Sequence, residues 1–216
     1  MVEKRYNSSR GFPGVTGCID GTLIEVWAPG VANRETLRSR KGKISVNVQA
    51  VCDDRLIFTN VVVRWSGSTH DSRIFSNSQL ASDLEQGKKK GLLLGDAGYP
   101  LKQYLMTPIS NPVTPAEQRY NFSHTQTRNG IERAFGILKT MFPCLRKGGV
   151  HVLMERSQNG ILACFILYNF CRLRGECMPS VEEEQQEGDT AVTSSSHDGS
   201  EMRHYPNDMR GEAETD

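Results

Sequence analysis

The chain has 216 residues, a length that suits one domain and a tail but is short for two domains. Hydrophobic residues make up 37% and aromatic residues 7%, which is enough for one moderate core. Its net charge of +1 hides a segregation of charge: residues 181–216 hold 11 acidic and 2 basic residues, and residues 1–180 hold 14 acidic and 24 basic ones. A body of +10 with a tail of −9 indicates a nucleic-acid partner, although the near-neutral total by itself argues against one.

Membrane and secreted proteins are the classes that the sequence argues against. The longest apolar run, residues 160–171, is too short to cross a bilayer and contains Tyr168 and Asn169, so no membrane partner is expected. No apolar signal segment stands at the N-terminus, which argues against secretion. The six cysteines occur singly, as reduced thiols of an intracellular protein do, and not in the pairs of a zinc site.

The first half of the chain predicts an antiparallel meander followed by a change of period. Alternating β-formers over residues 17–27, 44–51 and 56–63 predict three strands joined by short connections. Helical spacing of apolar residues then predicts a helix over 71–86. The short, wholly apolar run 91–95 is typical of a buried central strand.

The second half predicts helices and a disordered end. Prolines interrupt residues 100–124, which predicts a loop, and an apolar stripe predicts a helix over 129–141. A last helix, 153–174, is apolar on nearly every face and is predicted to be buried. Beyond Pro179 no apolar period remains, so we expect disorder. The order of elements is that of an α/β domain.

Four acidic side chains stand where exposure to solvent does not easily explain them. Asp20 lies inside the first apolar strand, and Asp96 follows the buried strand, at the strand end where open α/β sheets place their ligand crevice. Glu132 lies beside the apolar stripe of its helix, and Asp71 begins the helix after the third strand. Each also has an ordinary structural explanation: a turn, a helix cap or an ion pair with a neighbouring arginine.

Together the four carboxylates favour a metal site over these ordinary explanations. Carboxylates on neighbouring strands and on a helix packed over the sheet would crowd like charges, and divalent cations relieve that crowding. Hard oxygen ligands without a Cys or His cluster favour Mg²⁺ or Mn²⁺ over zinc. Two such ions can activate a water and stabilise the leaving oxygen of a phosphodiester.

Five sequence motifs carry a family resemblance, and they occur in order. They are GCIDGT at 17–22, RKGKISVNVQ at 40–49, WSGSTHDSR at 65–73, LGDAGYP at 94–100 and RNGIERAFG at 128–136. With them the chain closely resembles the PIF/Harbinger transposase superfamily and the Harbinger-derived nuclease domesticated from it. The resemblance covers roughly residues 14–174.

The resemblance implies a fold and a catalytic site. The fold is RNase H-like, with a mixed sheet of three antiparallel strands plus the buried strand and packed helices. It would span residues 14–176, between a lead-in over 1–13 and a disordered acidic tail over 177–216. Asp20, Asp96 and Glu132 match the catalytic acidic triad, and Asp71 matches a further aspartate counted among the ligands of a divalent metal cation, Mg²⁺ or Mn²⁺. Thirty-five residues separate Asp96 from Glu132, a spacing typical of acidic-triad transposases.

The resemblance also implies a function and partners. The function is a metal-dependent DNA endonuclease of transposase origin, in which water or a DNA 3′-hydroxyl attacks a phosphodiester. The partners are DNA and a Myb/SANT-like DNA-binding protein, and the location is the nucleus, with the cytoplasm as a second site; the oligomeric state stays open. Basic residues on a loop and on the helix of Glu132 are the candidate DNA contacts, although a solvated loop explains the first three nearly as well: Arg40, Lys41, Lys43, Arg128, Arg133 and Lys139.

Two other functions stay open. Family members usually carry a helix-turn-helix region before the first strand, and here about 13 residues precede it. We expect a truncated copy, a partial gene model or a catalytic domain that relies on a partner for targeting. A domesticated copy that binds DNA or protein without cutting is therefore the main alternative. A metal phosphohydrolase acting on small molecules is weaker, because the sequence has no Gly-rich phosphate loop.

Overall fold

Five strands form one mixed sheet in the computed structural model, which describes residues 12, 14–27, 34–39, 42–146, 149, 154–177 and 179. The strands are β1 (Val15–Glu25), β2 (Ser45–Cys52), β3 (Phe58–Ser66), β4 (Leu92–Leu94) and β5 (Leu105–Met106), and their order in the sheet is β3-β2-β1-β4-β5. β1, β2 and β3 are antiparallel, β4 runs parallel to β1, and β5 runs parallel to β4. The predicted α/β class, the antiparallel meander and the mixed sheet are confirmed.

Helices cover both faces of the sheet. α1 (Asp71–Ser76) and α2 (Gln79–Glu85) pack on one face, around Ile19, Val51 and Leu93. α3 (Pro115–Met141) and α4 (Met154–Arg174) pack on the other. Two short 3₁₀ segments complete the described elements, Arg34–Leu37 and Pro143–Leu145. Alternate residues of β1 therefore contact different helices. The position of a residue along β1 decides whether its side chain meets α1 and α2 or α3 and α4.

β5 explains why β4 is interior. Its two residues pair with Leu93 and Leu94 and cover the outer edge of β4, while β1 holds the middle of the sheet. Residues 100–124 were predicted to lack strands, and this is wrong for Leu105 and Met106. A two-residue strand has no period of its own, so its neighbours in the sheet define it.

The single helix predicted over residues 71–86 is two helices. The Ser78 hydroxyl accepts a hydrogen bond from the backbone N–H of Ala81 at 3.1 Å and so begins α2, while α1 ends at Ser76. Serine competes for backbone hydrogen bonds within a helix and is favoured at its N-cap. The prediction followed the apolar spacing across this cap and missed the break.

α3 begins at Pro115, well before the predicted start at residue 129. Thr114 and Glu117 form a capping box, in which the Thr114 hydroxyl accepts from the Glu117 N–H and the Glu117 carboxylate accepts from the Thr114 N–H. Proline is tolerated in the first turn because its missing N–H needs no partner there. The prolines were interpreted as loop signals, and Pro115 is instead a helix start.

α4 is only half buried, so the prediction of full burial is wrong. Ser157, Ile161, Phe165 and Tyr168 face inward against the core. The outer face carries large apolar side chains that are 40–64% exposed: Leu162, Ile166, Leu167, Phe170 and Leu173. The helix lies in a single layer over β3 and α3, so packing within the described part of the chain covers one of its faces.

An asparagine attaches α4 to the sheet. The Asn169 amide donates to the Phe58 carbonyl at 2.7 Å and accepts from the Phe58 N–H at 2.9 Å. This side chain therefore satisfies both backbone polar groups of the first residue of β3. The presence of an asparagine within the apolar run has a structural cause.

The domain limits predicted at residues 13/14 and 176/177 stay predictions. The chain divides into two compact units, Met1–Glu182 and Glu183–Asp216, and every described residue belongs to the first. The predicted lead-in, apart from Phe12, and nearly all of the predicted tail lie outside the described residues. Within the described part, none of the helices has the length and apolar character needed to span a membrane.

Candidate active site

Asp20 and Asp96 meet because β1 and β4 are parallel neighbours. Cys18 pairs with Leu94, and two further residues along each strand lead to Asp20 and Asp96. The side chain of Asp20 is 16% exposed, and its Oδ1 accepts the Gly21 N–H at 2.9 Å. Asp96 follows the end of β4, where its Oδ1 accepts the Gly98 N–H at 2.9 Å. Both carboxylates are thus held in place by the backbone that follows them.

Asp71 approaches β1 from the side of α1, directly over Gly21, the residue after Asp20. A Cβ atom added at Gly21 would lie 2.3 Å from Asp71 Oδ1, which is far inside van der Waals contact. Only glycine leaves room for the carboxylate over β1. Asp71 stands at the first position of α1, and its charge at a helix N-terminus is also favourable. The helix-start explanation and the site explanation therefore both apply to this residue.

Two polar residues of β2 position Asp71, and neither was among the residues predicted for the site. The Asn47 amide donates to Asp71 Oδ1 at 2.8 Å and to the Thr69 carbonyl at 2.9 Å. The Gln49 amide donates to the Asp71 carbonyl and to the Tyr99 hydroxyl, each at 2.9 Å. The available signal was two amides alternating with valines in a strand that is buried throughout.

Glu132 joins the other carboxylates through Arg128. The Arg128 guanidinium donates from Nη1 to Asp20 Oδ2 at 3.0 Å and from Nη2 to Glu132 Oε1. Arg128 and Glu132 are four residues apart on α3 and so lie on one face of the helix. The predicted arginine partner of Glu132 exists, and it also bonds to the aspartate in the sheet.

The electrostatics show that Asp71 and Asp96 lie close enough to Asp20 to act on its ionisation. Burial raises the pKa of Asp20 to about 6; Arg128 and the Gly21 N–H lower it, and Asp96 and Asp71 raise it further. Burial also raises the pKa of the Tyr99 hydroxyl above its ordinary value, and Asp71, Asp20 and Asp96 contribute in the same direction. We call Asp20, Asp71, Asp96 and Glu132 the carboxylate cluster.

The donor set of the carboxylate cluster fits a hard divalent cation. Its ligand atoms would be carboxylate oxygens, which Mg²⁺ and Mn²⁺ prefer. The mutual effects on Asp20 are those of crowded like charges, which a cation relieves. As the side chains stand, no three His, Cys, Asp or Glu residues of the described part are grouped closely enough to ligate an ion. Arg128 donates hydrogen bonds to one carboxylate oxygen of Asp20 and one of Glu132.

The predicted DNA contacts on α3 do not share one face. Lys139 lies eleven residues after Arg128, about 20° around the helix from it, and its Nζ donates to the Thr22 hydroxyl at 2.7 Å. Thr22 is on the same face of β1 as Asp20, so Lys139 lies next to the carboxylate cluster. Arg133 is exposed and lies about 140° around from Arg128, so it does not join them.

The basic loop is described only in part. Arg40 and Lys41 lie outside the described residues. Lys43 is half exposed, and its Nζ donates to Glu25 Oε1 at 2.6 Å, at the far end of β1. Glu25 stands five residues beyond Asp20 in an extended strand, which is roughly 17 Å away. Lys43 is therefore on the surface and not in the cluster.

Comparison with known proteins assigns the family. The family profile described as DDE superfamily endonuclease matches residues 19–169, which include all four members of the carboxylate cluster. The chain belongs to this family. The five ordered motifs predicted a kinship with Harbinger-type transposases, and that prediction is confirmed by the relatives below.

The DDE-family relatives are longer proteins. The human protein named "Putative nuclease HARBI1" is 40% identical over 171 residues, which are 78% of this chain and 49% of that protein. The rat protein of the same name is 36% identical over 201 residues, 86% of this chain and 57% of that protein. "Protein ALP1-like" from Arabidopsis thaliana is 26% identical over 216 residues, 91% of this chain and 50% of that protein. The chain thus spans about half the length of these relatives. No solved structure matches it.

Proposed function

We propose that this DDE-family chain is a divalent-metal-dependent DNA endonuclease of transposase origin, which cleaves or transfers phosphodiester bonds. The observation that carries the proposal is that four carboxylates from β1, α1, the end of β4 and α3 are linked: Asp71 and Asp96 act on the ionisation of Asp20, and Arg128 bonds to both Asp20 and Glu132. Neighbouring acidic side chains repel one another, so their placement together favours a site that binds cations. The family profile and the names of the relatives support the same chemistry.

Within this proposal the chain's own residues have distinct roles. Asp20 and Asp96 would share the bound ions, with Glu132 and Asp71 completing their coordination. Ions bound there would activate the attacking water or hydroxyl and stabilise the leaving oxygen. Asn47 and Gln49 hold Asp71 over Gly21, so they orient a ligand and are positioning residues.

The proposal extends to the fold and the partners. The three antiparallel strands followed by parallel β4 support an RNase H-like assignment. The excess of positive charge in residues 1–180 supports DNA as the partner, held by the basic residues named above other than Arg128. A nuclear location and a Myb/SANT-like DNA-binding partner follow from the same family kinship.

A plasmid-nicking assay tests the proposed activity. The full chain is expected to nick supercoiled plasmid in the presence of Mn²⁺, and Asp20→Ala or Asp96→Ala should each lower the rate by about a hundredfold or more, since a group acting on the reacting centre is lost. Asp83→Ala is the matched control, because Asp83 lies on α2 and contacts Lys89 and Gln79. Undiminished nicking by both cluster variants would contradict the assignment.

A domesticated chain that binds DNA or protein without cutting is the second candidate. The bonds from Arg128 to Asp20 and Glu132 favour it, because a scaffold without ions would need an internal cation to hold its carboxylates. Such a chain would bind duplex DNA and retain no affinity for Mn²⁺. Calorimetric titration with Mn²⁺ separates the two candidates even if the cleaved DNA sequence is unknown.

A further inference from the structure

Arg128 stands among the carboxylates and not at the solvent boundary. Its side chain is 20% exposed, and its two terminal nitrogens bond to carboxylates of different elements, Asp20 on β1 and Glu132 on α3. A guanidinium suits this position because its planar fork can donate in two directions at once. The sequence pattern predicted a DNA contact for Arg128, whereas the observed partners are two acidic members of the cluster.

The positive charge of Arg128 offsets part of the repulsion within the cluster. Asp20 is partly buried, and both Asp71 and Asp96 disfavour its ionised form. Arg128 is the side chain that acts in the opposite direction on Asp20, together with one backbone N–H. A cation near a buried carboxylate contributes more than one at the surface, because the surroundings screen it less.

A divalent ion and Arg128 would compete for the same carboxylates. Asp20 Oδ2 already accepts from Arg128 Nη1 at 3.0 Å, whereas Mg²⁺ binds its oxygen ligands at about 2.1 Å. An ion on that oxygen would lie only a few ångströms from the guanidinium, and two like charges at such a distance repel strongly. A bound divalent ion therefore weakens the bonds of Arg128 to Asp20 and Glu132, and those bonds oppose binding of the ion.

We propose that Arg128 is a built-in counter-ion of the carboxylate cluster, which holds Asp20 and Glu132 together in the absence of metal and competes with a divalent ion for their carboxylates. This inference rests on the proposed metal-dependent function. It makes Arg128 a positioning residue that sets metal affinity. With a neutral residue in place of Arg128, the cluster binds metal more tightly and the metal-free protein is less stable.

Isothermal titration calorimetry of the full chain with Mn²⁺ at pH 8 tests the counter-ion role. Arg128→Gln is expected to bind Mn²⁺ about tenfold more tightly than the unmodified chain, because charge-assisted hydrogen bonds to two carboxylates no longer compete. Arg128→Lys keeps the charge without the fork and should stay closer to the unmodified affinity. Arg119→Gln, with the same change of charge nine residues earlier on α3, is the control and should not alter it.

Thermal unfolding supplies the second measurement. Without metal, Arg128→Gln should melt at a lower temperature than the unmodified chain, and saturating Mn²⁺ should raise its melting temperature by more. A purely structural arginine would lower the melting temperature without tightening Mn²⁺ binding. Asp96→Asn in either background should weaken binding and so identify the titrated site as the cluster.

The outcomes separate this inference from the proposed function. If the unmodified chain binds Mn²⁺ and Arg128→Gln binds it equally or more weakly, the counter-ion role is overturned and the metal-dependent function stands. If neither binds Mn²⁺, both are overturned. If only Arg128→Gln binds it, the counter-ion role is supported, and Arg128 keeps the unmodified chain in a metal-free state.

Discussion

At the residue scale, Gly21 makes room for a carboxylate of the site, whereas Asp20 lowers the stability of the fold when it is ionised. Gly21 gives the Asp71 carboxylate access to β1, where any side chain would collide with it. Asp20 is mostly buried and lies near Asp96 and Asp71, so its neutral form is favoured. Ionised Asp20 therefore costs stability, which is the expected price of a site that needs negative charge.

Asp20 should make stability depend on pH. Its pKa rises from 3.8 to about 6 in the folded chain, so its stabilising contribution is complete below pH 4 and is lost as the pH rises through 6. Asp20→Asn mimics the neutral form and should raise the free energy of unfolding at pH 8 by up to about 3 kcal/mol. Urea unfolding at pH 8 and at pH 4 measures this.

The gain from Asp20→Asn should vanish near pH 4, where the unmodified carboxyl is also neutral. Asp83→Asn on α2 removes one charge without touching the cluster and serves as the control. A gain of equal size at both pH values would mean that packing, and not ionisation, explains the effect. The same substitution should remove nicking activity, since Asn cannot supply the carboxylate.

At the element scale, α4 shows that an apolar sequence does not by itself define a buried helix. Its inner face packs on the core through Ile161, Phe165 and Tyr168, and Asn169 bonds to the backbone of β3. Its outer face also carries large apolar side chains and remains exposed over about three turns of helix. The two faces should therefore contribute unequally to stability.

A matched pair of substitutions on α4 tests this inequality. Ile161→Ala removes a fully buried side chain and should lower the free energy of unfolding by about 2–5 kcal/mol. Ile166→Ala removes the same atoms from a position that is 60% exposed and should change it by less than about 1 kcal/mol. Chemical denaturation of both variants measures the difference. Similar losses would mean that another part of the chain covers the outer face.

At the scale of the whole molecule, charge is separated along the chain. Residues 1–180 carry a balance of +10, and residues 181–216 carry −9. The long-range field that attracts a DNA polyanion depends on the net charge of the molecule, which is +1 with the tail and +10 without it. The tail should therefore weaken binding to DNA through charge alone.

Deleting residues 181–216 should tighten binding to a labelled DNA duplex at low salt. The difference should shrink as salt is raised, because screening and reduced counterion release weaken the electrostatic part of binding. Fluorescence anisotropy across a salt series measures both effects. A chain with an uncharged Gly/Ser tail of the same length is the control and should behave like the deletion. Equal low-salt affinity with and without the native tail would contradict the prediction.

Period and local chemistry in the sequence predicted most of the framework. The meander, the buried run after Lys90 and the helical stripe around Ile131 all appear where their alternation or spacing indicated. Two of the errors fall where a local signal overrode the period: the Ser78 cap divided a helix, and the Thr114 capping box started another at a proline. These signals were in the sequence and were weighted incorrectly.

The sequence by itself determined the four carboxylates and their family, because residue identity and spacing are enough for that. Only the tertiary structure decided how they meet. Asp20 and Asp96 are brought together by the parallel pairing of β1 and β4, and Asp71 enters because Gly21 faces α1. Arg128 looks like a DNA contact in the sequence and becomes a partner of two acids in the fold. Distances between residues far apart in sequence depend on strand register and on helix rotation over the sheet, and no local pattern encodes them.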